Sequence, residues 1–159
     1  MRHCLRLVFS LLSFAASISA QADVRFTLTP GTANDEFGAS LSWVGDLNGD
    51  GTPDFAVAAP FDSTNGIGSG IVRVFSGRDG AILRSIHGVP GGLVATVTGI
   101  GDINGDGAPD LLIGLPDTGT TGGPGGGARV YSGADASILY TFFGSTPSCT
   151  ATSIDSSNF

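Results

Sequence analysis

Apolar positions in this chain fall in short, regularly spaced runs. Val24 to Leu28 alternates apolar with polar and stops at Pro30-Gly31, which predicts a strand closed by a turn. Phe37-Gly38 opens a second alternation, with Ala39, Leu41 and Trp43 on one side and Ser40 and Ser42 on the other. That reads as a strand with its apolar row turned into the core. Phe55-Ala56-Val57-Ala58-Ala59-Pro60 is apolar throughout, the pattern of a strand buried on both faces. A glycine-rich connection over 61–70 leads to a strand at 71–75, a tight turn Ser76-Gly77-Arg78-Asp79-Gly80, and a fourth strand from Ala81 to Ile86.

The same plan then repeats. Leu93 to Ile100 corresponds to the first strand, and Leu111-Leu112-Ile113-Gly114-Leu115-Pro116 to the buried one. Ala128 to Tyr131, the turn Ser132-Gly133-Ala134-Asp135, and Ile138 to Phe143 complete the copy. Asp46 and Asp102, Pro60 and Pro116, Gly77 and Gly133 all stand 56 positions apart, so two units run in register without a gap. No segment beyond the N-terminal leader reads as a helix. Two units of four short strands have the form of propeller blades.

Between the first two strands of each unit lies an acidic loop. It reads Asp46-Leu47-Asn48-Gly49-Asp50-Gly51-Thr52-Pro53-Asp54 in the first unit and Asp102-Ile103-Asn104-Gly105-Asp106-Gly107-Ala108-Pro109-Asp110 in the second. Oxygen-bearing side chains at positions 1, 3, 5 and 9, with glycine at 4 and 6, suit a loop wrapped around a hard cation. Each copy offers four side-chain donors, and the carbonyl of Thr52 or Ala108 is a fifth. Calcium is the expected ion, because magnesium demands a rigid octahedron and keeps its waters. A bare hairpin turn is the alternative, in which three carboxylates in nine residues would repel one another without relief. An EF-hand is excluded: it needs a glutamate at position 12 and flanking helices, whereas Val57 and Ile113 stand there, inside strands.

Phe37-Gly38, the Asp46–Asp54 loop and Ala58-Ala59-Pro60, in that order, resemble the FG-GAP repeat of integrin α-chain propellers, also found in exported bacterial proteins. The second unit departs from it, with Leu93-Val94 for Phe-Gly and Gly114-Leu115-Pro116 for Gly-Ala-Pro. The resemblance implies an all-β chain of two four-stranded antiparallel blades forming an incomplete propeller, preceded by an N-terminal strand and followed by a partial third repeat. It implies calcium in the loop between each blade's first two strands. By position the ligands are Asp46, Asn48, Asp50, Thr52 and Asp54, then Asp102, Asn104, Asp106, Ala108 and Asp110. The general roles of the family are adhesion and extracellular recognition, sometimes as a module attached to an enzyme.

The resulting organisation is a signal peptide over 1–22, an N-terminal strand and loop over 23–35, repeats over 36–90 and 91–144, and the start of a degraded third repeat over 145–159. The leader is read from Arg2 and Arg6, the apolar stretch from Leu7 to Ala16, and the small-x-small site Ala20-Gln21-Ala22. Cleavage near Ala22 would yield a secreted, cell-surface or periplasmic chain without a membrane span. That chain has five arginines, no lysine and 14 acidic residues, a formal charge of −9, which disfavours nucleic acid and anionic lipid as partners. A propeller usually has about 4 to 8 blades, so two leave open edges for further blades or for self-association.

Catalytic candidates are few. His87 reads as a strand-end packing residue, and Cys149 has no partner for a disulfide after cleavage. Carboxylates such as Asp62, Asp79, Asp117 and Asp135 fall at turns, where Asp is expected. The glycine-rich stretches lack the lysine and following helix of a phosphate cradle. The sequence therefore points to a non-enzymatic calcium-binding module with a structural, adhesion or recognition role, for an extracellular protein or glycan ligand. The alternatives are the non-catalytic portion of a larger secreted enzyme, for example a polysaccharide-degrading one, or a truncated fragment without independent function.

Overall fold

A computed structural model describes residues 27–29, 31, 33–116 and 126–144. Among the described residues eight strands form two separate four-stranded sheets in simple sequential order. The first sheet contains β1 (Ser40–Gly45), β2 (Asp54–Ala59), β3 (Ile71–Phe75) and β4 (Ile82–His87). The second contains β5 (Thr96–Gly101), β6 (Asp110–Leu115), β7 (Gly127–Tyr131) and β8 (Ile138–Phe143). All pairings are antiparallel, and each sheet carries a register shift at the same two places, near the end of its first strand and at the end of its third. The fold is all-β, as the two-unit pattern predicts. The segments expected as a leader and as the start of a third repeat, with Cys149, lie outside the described residues, as does most of the expected N-terminal strand. Thr27 and Leu28, its last residues, are described and are not in a strand.

Every residue of β2 and β6 is buried, which accounts for their unbroken apolarity. One core fills the space between the sheets. Val44, Ala56, Ala58, Val72, Val74 and Ile86 from the first sheet meet Val97, Leu111, Ile113, Leu115 and Tyr131 from the second. Small residues on the first sheet face larger ones on the second, so the layers interlock. A smaller cluster of Phe55, Val57 and Phe75 lies on the opposite face of the first sheet, covered in part by Leu28 and Phe37. Phe37 meets Phe75 edge-on with centroids 6.0 Å apart. The segment bearing Phe37 is tied down by buried Asp35, whose carboxylate accepts the N–H groups of Gly31 and Phe37.

The orientation of β1 reverses the sequence-based expectation. Leu41 and Trp43 do not enter the core; they are 61% and 66% exposed. Ser40 and Ser42 instead face the second sheet, where their hydroxyls accept the N–H groups of Val97 and Gly99 at 3.1 and 3.4 Å. The reason is the close approach of β1 to β5. A Cβ on Gly99 would lie 2.6 Å from the Trp43 carbonyl oxygen and 2.7 Å from the Val44 Cα. Small polar side chains fit such a seam and bridge its backbone donors, whereas Leu41 and Trp43 would not fit.

The replacement of Phe-Gly in the second unit changes the start of its sheet by one residue. Gly38 donates to the Ala58 carbonyl in the first unit, whereas Ala95, one position further on in repeat terms, donates to Gly114 in the second. Val94, standing where Gly38 does, is buried in the shared core.

Candidate metal centre

The two acidic loops are built alike. Asp46 accepts the N–H of Asp50 on Oδ1 at 3.0 Å and that of Gly51 on Oδ2 at 2.8 Å. Asn48 Oδ1 accepts the Asp50 N–H, and Asp50 Oδ1 accepts that of Thr52. In the second loop Asp102 accepts from Gly105, Asp106 and Gly107, Asn104 from Asp106, and Asp106 from Ala108. Gly49, Gly51, Gly105 and Gly107 all have positive φ, which lets the chain curl so that successive N–H groups point inward at the carboxylates.

These donors shift the carboxyls. A hydrogen bond from the Asn48 side chain leads in holding Asp50 below the usual carboxylate range, aided by the Thr52 N–H, against the opposing effect of burial. The Ala108 N–H and the Asn104 amide do the same for Asp106, which also accepts the Ser132 hydroxyl at 3.1 Å. The loops thus favour the ionised form of both residues. They also relieve, through backbone N–H groups, the carboxylate repulsion expected of a bare loop.

The ninth positions play a different part from the first five. Asp54 and Asp110 are fully buried. Asp54 accepts the Leu47 N–H at 2.7 Å and the Gly77 N–H at 3.0 Å; Asp110 accepts those of Ile103 and Gly133 at 2.9 and 3.1 Å. Each joins its acidic loop to the turn between the third and fourth strands, a contact that spacing within the loop does not show.

The donor set fits a hard cation. It consists of oxygens only, and an oxygen that accepts one N–H keeps a second lone pair for a metal. The structure does not contain a preassembled cage: among the described residues no three His, Cys, Asp or Glu side chains converge as a metal centre. The oxygens are turned instead onto the loop's own backbone.

A second buried carboxylate lies apart from the loops. Asp62 is fully buried, and its Oδ2 stands 3.6 Å from the Arg73 guanidinium. Burial pushes its carboxyl up, but hydrogen bonds from the hydroxyl and N–H of Thr64, with the Arg73 charge, together bring it below the usual range. Ser69 Oγ and the Gly70 N–H both donate to the Asp62 carbonyl, so this residue anchors the whole β2–β3 connection. The turn assignment made from sequence understates it. His87 ends β4 exposed rather than packed, with Nδ1 3.5 Å from the Thr64 hydroxyl. No helix among the described residues is long and apolar enough to cross a membrane.

Comparison with known proteins agrees with this geometry. The FG-GAP repeat family matches residues 37–75. Mouse integrin alpha-7 is 37% identical over 105 residues, covering 61% of this chain and 8% of the integrin. Drosophila melanogaster integrin alpha-PS5 is 38% identical over 105 residues, covering 58% of the chain and 10% of the relative. Mouse integrin alpha-E is 34% identical over 101 residues, with 56% and 9% covered. The chain thus spans at most about a tenth of the length of these curated relatives. With residues 37–75 forming the first three strands of the first sheet and the second sheet repeating their order, the chain contains an FG-GAP repeat and an in-register copy of it.

Proposed function

We propose that this chain is a non-catalytic extracellular recognition module whose two sheets are stabilised by calcium. FG-GAP repeats of the integrin alpha type suggest an adhesion or recognition role. The observation that carries the metal assignment is the duplication of one oxygen-only loop, with its first carboxylate oriented by inward N–H groups in both copies. Asp46, Asn48, Asp50, Asp54 and the Thr52 carbonyl would hold one ion, and Asp102, Asn104, Asp106, Asp110 and the Ala108 carbonyl the other.

Calcium bound there would neutralise the carboxylates and fasten the hairpin between the first two strands of each sheet. Because the ion would bind the folded loop and not the unfolded chain, its binding free energy would add to stability. Extracellular calcium modules commonly work at roughly 10⁻⁴–10⁻³ M, and these exposed loops suit that range. Export through the N-terminal leader would deliver the chain to a compartment at such concentrations.

The experiment is a calcium titration of the purified chain, read by melting temperature and by equilibrium dialysis. Two ions per chain and a rising Tm are expected. Asp50→Ala and Asp106→Ala should each remove one ion and part of the rise. An unchanged Tm and no retained calcium would refute the metal assignment.

A further inference from the structure

Asparagine or aspartate followed by glycine is chemically labile, because a glycine nitrogen meets little steric hindrance when it attacks the preceding side-chain carbonyl. The described residues contain six such pairs: Asn48-Gly49, Asp50-Gly51, Asn65-Gly66, Asp79-Gly80, Asn104-Gly105 and Asp106-Gly107. In five of them the glycine N–H is held. Gly51 and Gly107 donate to Asp46 and Asp102 at 2.8 Å, and Gly105 donates to Asp102 Oδ1 at 2.7 Å. Gly66 donates to the Ser63 carbonyl and Gly80 to that of Ser76. Gly49 alone has no acceptor for its N–H among the described residues.

Asn48 and Asn104 are otherwise matched. They lie in Asp-Leu-Asn-Gly-Asp-Gly and Asp-Ile-Asn-Gly-Asp-Gly. Both asparagines and both following glycines are exposed. Gly49 and Gly105 share one backbone conformation, with φ of 73° and 77°. Each asparagine amide oxygen accepts the N–H two residues further on, at 3.0 and 2.9 Å. That donor stabilises the negative charge which develops on the oxygen during attack, and it does so in both loops. The difference lies in the nucleophile. The Gly105 nitrogen must break a hydrogen bond to a carboxylate before it can turn to Asn104 Cγ, whereas the Gly49 nitrogen has none to break.

We infer that Asn48 is a site of spontaneous covalent modification, and that Asp102 protects Asn104 from the same reaction. The Gly49 nitrogen gives its proton to solvent and bonds to Asn48 Cγ. The Cγ–Nδ2 bond then breaks, and the amide nitrogen takes up a proton and leaves as ammonia. Water opens the resulting cyclic imide at one carbonyl or the other, giving aspartate or isoaspartate with no change of oxidation state. The consequence rests on the calcium reading of the loops. Aspartate adds a charge at the third position of the first loop, whereas isoaspartate inserts a methylene into the main chain and displaces that donor. The first calcium site therefore changes as the protein ages, while the second persists.

The test is incubation of the purified full chain at mildly alkaline pH without calcium, followed by peptide mass mapping and an enzymatic assay for isoaspartate. Asn48 should convert about tenfold faster than Asn104, the factor set by one hydrogen bond to a charged group. In urea, where both loops are unfolded and their sequences nearly identical, the two rates should converge. Asp102→Ala should accelerate conversion of Asn104, with folding checked by circular dichroism. Equal rates in the folded wild type would overturn the proposal, as would a ratio that persists in urea or a folded Asp102→Ala whose Asn104 stays protected. Should Asp102→Ala not fold, the comparison of folded with urea-treated wild type decides. Equilibrium dialysis with calcium then separates the modification from the metal reading. An isoaspartate form that binds one ion fewer than fresh protein supports the stated consequence, and one that binds as many overturns it. A fresh chain that binds no calcium refutes the metal reading and leaves the modification standing.

Discussion

The carboxylate of Asp54 accepts the N–H of Gly77, 23 residues further along the chain, at 3.0 Å, while its other oxygen takes the N–H of Leu47. One buried side chain thus fastens the acidic loop to the turn that ends β3, and Asp110 repeats the arrangement with Gly133 and Ile103. Replacing Asp54 by Asn presents an amide to one of two part-buried N–H donors. A fully buried donor left unpaired costs about 1–3 kcal/mol, so for these part-buried donors Asp54→Asn should lower the urea midpoint by an amount corresponding to the lower end of that range without calcium present. Asp110→Asn should behave alike, and a loss of only a few tenths would show that the fastening is weak.

The turns after β3 and β7 differ by one residue of conformational consequence. Gly80 has φ 76° in the first, and Ala136 has φ 63° at the same place in the second. A left-handed backbone burdens a residue with a Cβ, and glycine's entropy offsets part of the relief. Ala136→Gly should therefore stabilise the chain by about 0.5–1 kcal/mol, and Gly80→Ala should destabilise it similarly. Thermal melts of both variants check the pair.

Asp50, Asp62, Asp106 and Asp135 all have carboxyls held below the usual range in the folded chain. A depressed folded value means that the unfolded chain binds protons first as pH falls. These groups contribute stability fully above the unfolded value of about 3.9, and lose it as pH drops through their lower folded values. The melting temperature should be flat from neutral pH down to about 5 and fall below about 4. Asn48→Ala should raise the titration midpoint of Asp50, read by carboxyl carbon NMR, because the amide is the leading cause of its depression.

Asp62 and Arg73 bridge the β2–β3 connection to the middle of β3. Arg73→Leu strands a carboxylate that is fully buried, although Thr64 continues to satisfy its other oxygen. The arginine keeps some contact with solvent, so the expected cost is roughly 2–4 kcal/mol, below that of a wholly enclosed pair. Adding Asp62→Asn should recover part of it. Additive losses in the double variant would show that the two residues do not act as a pair.

Much of this architecture is legible in local pattern. The 56-residue recurrence marks two units, and unbroken apolarity marks β2 and β6, because a strand covered on both faces has no polar side to show. Asp46, Asn48 and Asp50 are recognisable because their partners lie within the same loop, two to five residues away. The fastening role of Asp54 and the pairing of Asp62 with Arg73 have no such signal. Their partners are 23 and 11 positions distant and meet only when the strands pair.

The strand β1 separates what sequence determines from what tertiary structure decides. Alternation alone establishes that Leu41 and Trp43 share one face and Ser40 and Ser42 the other, since successive side chains of a strand point to opposite sides. Which face is covered depends on the neighbouring sheet. Here β5 approaches so closely that Gly99 has no space for a methyl group, and the seam accepts serine hydroxyls that satisfy its backbone donors. Backbone proximity, rather than side-chain hydrophobicity, chose the buried face, and it left the tryptophan outside.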